Sequence, residues 1–274
     1  MKLYISVDME GVGGIVDIAQ TDESHREYPR AQGWLMEEIN AAVESALNSG
    51  ASEVLVNDAH STKRNILLDE LHPRAELISG SQRPMGQVAG LDGSFDAVAL
   101  LAYHARAGNF GILAHTRAWT SVVAELRVNG SPFGETGLSA MVAGHYGVPV
   151  VLITGDDIVN AEARELLPKV ERVIVKYALS RYAARLLPRQ EVLRRISAGM
   201  ERALQRAFPA PFVVTTPIHL EVDFASQSMA DYAMDLPGAV RLGGITVGYT
   251  APDALTAYQA YAALFGLAGR ELGS

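Results

Sequence analysis

The feature that most constrains this chain is a set of short, continuously apolar runs that each end in an ionisable residue. Lys2–Val7 ends at Asp8, 53–57 at Asp58-Ala59-His60, 96–102 at Tyr103-His104, and 148–154 at Gly155-Asp156-Asp157. Runs without alternation are buried on both faces, the habit of a parallel sheet covered by helices. Helical patterns lie between them. Residues 33–48 repeat Leu35, Met36, Ile39, Val43, Ala46 and Leu47 at helical spacing, with Gly50 where a left-handed cap belongs. Residues 75–79 read as a further strand, and 136–145 as a helix rich in small residues. The expectation is an α/β fold, a mostly parallel sheet flanked by helices. In such a sheet Asp8, Asp58, His60, His104, Asp156 and Asp157 share the carboxyl edge, where ligands bind in open α/β folds.

The pattern changes after Val170. Residues 191–206 form an amphipathic helix with Val192, Leu193, Ile196, Met200, Ala203 and Leu204 on one face, and Pro209 and Pro211 then break it. Residues 212–222 and 240–249 read as strands, 226–234 as a helix between them, and Pro237-Gly238 as a turn. Thr250 is the expected cap of the last helix, with Pro252 and Asp253 in its first turn. This suggests a smaller C-terminal α+β unit over 211–274, following a catalytic α/β domain over 1–210.

Net charge and cysteine content narrow the chemistry. The 274 residues carry a net charge of −8 and no long basic run, which argues against nucleic acid or an anionic membrane as partner. Only five residues separate Lys2 from Asp8, too few for the apolar centre of a signal peptide. The longest apolar tract, 254–269, contains Thr256 and Gln259 and falls short of a membrane span. With no cysteine, a metal site must use imidazole and carboxylate, and a cytoplasmic location is expected.

Asp8-Met9-Glu10-Gly11 puts two carboxylates just past a strand, and Gly11, Gly13 and Gly14 let the chain turn so that both face a ligand. Such oxygen donors suit divalent cations. Alone, the segment reads equally well as a solvated strand end. Asp58 and His60 alone read as turn or cap residues, and His104 as a satisfied core histidine. Three strands delivering ligand-type groups to one edge make those bland readings unattractive. His115 lies in a glycine-containing loop and suits a base or nucleophile near neutrality. Glu135 begins a helix, where a carboxylate is already favoured by the dipole; it also suits a metal. His25, His72, His145 and His219 read as structural or peripheral. No Walker loop, dinucleotide fingerprint, nucleophile elbow or H-E-x-x-H helix is present.

Several of these segments, taken in order, resemble the M55 metallopeptidases, a family of D-aminopeptidases. Residues 2–11 (KLYISVDMEG) resemble the family's S-x-D-x-E-G start. Val54 to Ser61 (VLVNDAHS), Tyr103-His104-Ala105-Arg106, His115 and Gly134-Glu135-Thr136-Gly137-Leu138 are similar to its later signatures. The resemblance implies two zinc ions per chain, held by Asp8, Glu10, His60, His104 and Glu135, with Asp8 bridging. Mn or Co would suit the same donors. It implies His115 as the catalytic residue. The implied reaction is release of N-terminal D-amino acids from short peptides or amides, by metal-activated water with His115 assisting. It also implies a homo-oligomer, a ring-like decamer with an inner chamber. The spacing from His115 to Glu135 exceeds the family pattern, so residues 116–129 are expected to be a loop shaping the substrate pocket. Asp58, Asp156 and Asp157 are candidates to hold the substrate's ammonium group. Two rivals share the ligand set: a two-metal phosphoesterase, for which only Arg106 and Arg117 stand near the ligands, and a non-enzymatic scaffold.

Overall fold

In the computed structural model, which describes residues 1–117 and 122–273, a large sheet and a smaller one pack around two apolar cores. In chain order the main elements are β1 (Lys2–Val7), α1 (Tyr28–Asn48), β2 (Glu53–Asp58), β3 (Ala75–Ile78), β4 (Ala97–Tyr103), β5 (Val123–Val128), β6 (Ser131–Pro132), α2 (Glu135–His145), β7 (Val150–Asp156) and α3 (Asp157–Leu166). They continue with β8 (Glu171–Ser180), β9 (Ala183–Leu186), α4 (Arg189–Gln205), β10 (Ile218–Phe224), α5 (Gln227–Ala233), β11 (Val240–Arg241), β12 (Thr246–Ala251) and α6 (Ala254–Ala268).

The large sheet runs β3-β2-β1-β4-β7-β8-β9, parallel throughout except for β9 at its edge. All of β4 and β7 is buried. Successive residues of the central strands feed opposite cores. Leu3, Ile5 and Val7 face the core shared with α1 and α4, while Tyr4 faces the core that contains α2, α6 and the second sheet. The α/β expectation therefore holds, and for the reason given: the strands lack alternation because both faces are covered. Sequence order reverses between β1 and β4, which places the switch point of the sheet between them.

The second sheet is antiparallel, ordered β11-β12-β10-β5-β6. Its C-terminal strands are joined by β5 and β6 from the middle of the chain. The expected loop over 116–129 thus contains a strand, β5, paired to β10 (residues 118–121 lie outside the described part). Two expected strands are shorter than they read. Residues 212–217 are not strand, since Pro211 and Pro217 have no amide to donate. The 240–249 run is split into the β11–β12 hairpin by Gly243 and Gly244. The last helix is capped by Asp253, whose Oδ1 accepts from the Thr256 amide at 2.8 Å; Thr250 belongs to β12. No helix among the described residues is long and apolar enough to cross a membrane.

Candidate metal centre

The loop after β1 is pinned against the end of β4. The Asp8 amide donates to Leu101 O at 2.9 Å and the Gly11 amide to Ala102 O at 2.8 Å. A Cβ on Gly11 would lie 2.2 Å from Tyr103 O, so only glycine allows this approach. Two buried charges hold the rest of the loop. Lys176 of β8, fully buried, donates from Nζ to the carbonyls of Glu10 (2.5 Å), Val12 (2.9 Å) and Ile15 (2.6 Å). Glu38 of α1 accepts from the Gly13 amide at 2.9 Å and pairs with Arg189 at 2.7 Å.

Asp8, Glu10, His60, His104, His115 and Glu135 converge, each at most 7% exposed. They form two groups of three donors, Asp8 with Glu10 and His60, and His104 with His115 and Glu135. Asp8 stands between them: Oδ1 is 3.3 Å from His60 Nδ1 and Oδ2 is 3.4 Å from His104 Nε2. His60 Nδ1 also lies 3.1 Å from Glu10 Oε2, and His104 Nε2 3.5 Å from Glu135 Oε1. His115 Nε2 is 3.7 Å from Glu135 Oε1 and 4.0 Å from Glu10 Oε1. Its ring stacks on His104 with centroids 4.0 Å apart.

The three histidines are oriented alike. His60 Nε2 faces Thr21 O at 3.1 Å, His104 Nδ1 faces Ala105 O at 2.9 Å, and His115 Nδ1 faces Leu113 O at 2.7 Å. Each outer nitrogen must donate to its carbonyl, so each inner nitrogen is the basic one and points at the carboxylates. That is how metal-binding histidines are held. His104 Nε2 is buried and has no aligned hydrogen-bond partner. A buried acceptor of this kind facing carboxylates is what a cation would satisfy, so the donor set fits a pair of metal ions.

Charge coupling in the site is strong. Burial opposes ionisation of Asp8, yet the His104 and His60 imidazoles hold its carboxyl well below the usual range. Burial works against protonated His60 and His104. The carboxylates outweigh it, Glu10 and Asp8 for His60, Glu135 and Asp8 for His104, and raise both well above the ordinary histidine value. His115 goes the other way: burial, then the charge of His104, lower it.

Asp8, Glu10, His60, His115 and Glu135 line a cavity of about 810 Å³. Asp22, Glu23, Lys63, Arg117, Gln87 and Phe265 complete much of its wall. The proposed ammonium anchors do not. Asp58 accepts from the amides of Asn65 and Ile66, Asp156 caps α3 and accepts from the Ile112 amide at 2.8 Å, and Asp157 accepts from Ala178. These carboxylates shape loops; Asp156 steadies the one that carries His115. Arg106 pairs with Glu125 and Glu162 and is not in the cavity wall. Sequence reasoning missed Lys176, Lys63 and Gln87, which donates to Glu135. A lysine inside a strand carries no local mark of burial.

The family model described as D-aminopeptidase, M55, matches residues 1–263. The chain belongs to the M55 peptidase family. It is 40% identical over 272 residues to the D-aminopeptidase of Bacillus subtilis, covering 98% of each chain. The structure likewise matches the Zn-dependent D-aminopeptidase DppA from Bacillus subtilis, a self-compartmentalizing protease. The TM-score is 0.95 at 40% identity, over 98% of both chains.

Proposed function

We propose that this M55 peptidase is a binuclear zinc D-aminopeptidase. On this reading Asp8, Glu10, His60, His104 and Glu135 would hold two zinc ions, with Asp8 serving both, and His115 would be the catalytic residue. The observation that carries the reading is the pair of buried three-donor groups with Asp8 between them. Three carboxylates offset most of the charge of two dications. When bound, a zinc pair supplies Lewis acidity that polarises the scissile carbonyl and acidifies water.

The chain's own residues supply the rest. His115 keeps Nε2 basic because Nδ1 donates to Leu113 O, and burial favours its neutral form. It can therefore take a proton during attack and return it to the leaving amine. Asp22 and Glu23 in the cavity wall suit the substrate's ammonium group. The family match leaves the phosphoesterase and scaffold readings without a supporting observation. The self-compartmentalizing relative supports assembly into a homo-oligomer; the decameric ring and the cytoplasmic location are part of the family reading.

The test is metal content per chain, with hydrolysis of D-Ala and L-Ala anilides on the same sample before and after chelation. About two zinc ions and a chelator-sensitive preference for D-Ala are expected. Metal without either activity would overturn the substrate assignment; no metal and no activity would overturn the enzyme.

A further inference from the structure

Arg117 is an unusual resident of the cavity wall. Its φ of 74° is left-handed, a conformation that non-glycine residues keep only when their surroundings enforce it. Two contacts do so. Its amide donates to Glu135 Oε1 at 2.5 Å, which roots the residue beside a metal donor. Its guanidinium lies over the rings of Tyr258 and Phe265, with centroid distances of 5.8 and 5.7 Å. The fork is thus held in place by aromatic faces. Among the described residues no carboxylate stands within ion-pair distance of it, whereas Arg106 nearby in the chain has both Glu125 and Glu162.

We propose that Arg117 binds the C-terminal carboxylate of the substrate and so selects very short peptides with a free C-terminus. This deepens the aminopeptidase reading and rests on it. The planar guanidinium matches a carboxylate in a two-bond fork. In a dipeptide that carboxylate lies one residue past the scissile bond, roughly 3.3–3.6 Å along an extended chain. A group rooted at Glu135 reaches this distance with its side chain alone. Longer peptides carry their carboxylate past the fork. Lys63, the other cation in the wall, donates to Ala59 O and offers a point charge; Arg117, whose guanidinium also bonds the Tyr258 side chain, offers the planar fork.

The experiment compares D-Ala-D-Ala with its C-terminal amide on the zinc-loaded enzyme. For wild type, KM for the acid should be lower by about tenfold, with similar kcat, as one charge-assisted contact provides. Arg117→Met keeps an apolar stem on Tyr258 and Phe265 and should bring the KM ratio of the two substrates to about one. Arg117→Lys should recover part of it, since a point charge replaces the fork. Equal KM values in wild type, or an unchanged ratio in Arg117→Met, would overturn the anchor alone. Turnover of neither substrate by wild type would overturn the peptidase reading and the anchor with it.

Discussion

Glu10 and Lys176 meet at one point of the chain, and their losses should differ in kind. Glu10→Ala removes a donor while leaving the loop's main chain in place. Activity should fall by more than about a hundredfold, beyond the usual loss for a partner outside the metal's own ligands; an unchanged unfolding midpoint and reduced zinc content would complete the result. Full turnover would refute the ligand assignment. Lys176→Met strips a donor from three buried carbonyls. That should cost about 3 kcal/mol or more of stability, read as a lower denaturant midpoint, because unsatisfied buried acceptors are costly. The raised values of His60 and His104 also set a pH dependence for the metal-free protein. The stabilisation they give is complete below the unfolded value of 6.5 and is lost as pH rises through their higher folded values. Melting temperature measured against pH after chelation should therefore fall on the alkaline side, and zinc should abolish that slope by replacing the protons. A flat profile in the metal-free protein would contradict the coupling.

At the level of elements, the sequence revealed whichever features depend on neighbours along the chain. β1, β2, β4 and β7 were legible because their apolar runs are continuous, and Asp8, Glu10, His60 and His104 because they closely follow those runs. Partnership across the chain was not legible. β5 (VAELRV) alternates only weakly and pairs with a strand far away, so it read as loop. β8 escaped because its buried Lys176 breaks the apolar pattern. Order along the chain put Asp8, His60 and His104 at one sheet edge, whereas His115 and Glu135 joined them only through the family resemblance; Arg117 was placed near the ligands, but its seat on Tyr258 and Phe265 was not legible, since side-chain direction has no local signature. The β1 loop and β4 meet so closely that Gly11→Ala should cost about 3 kcal/mol, at the upper end for overpacking. It should also lower zinc content, because the same loop carries Asp8 and Glu10. A variant with wild-type stability and metal would show that the approach of 2.2 Å can relax.

For the whole molecule, assembly is the property to measure. Sedimentation of the zinc-loaded protein should give a mass ten times that of the chain; a monomer would exclude the inner chamber proposed by analogy. One property of the single chain bears on when the enzyme becomes active. β5, between His115 and Glu135, is paired through Arg127 to Glu221, which lies 94 residues further on. Such distant pairing is slow and must await the whole intervening segment. During synthesis, the strand flanked by two of the site's residues waits for a partner made 94 residues later. The wall between those two residues is thereby closed by long-range pairing and not as it emerges from the ribosome.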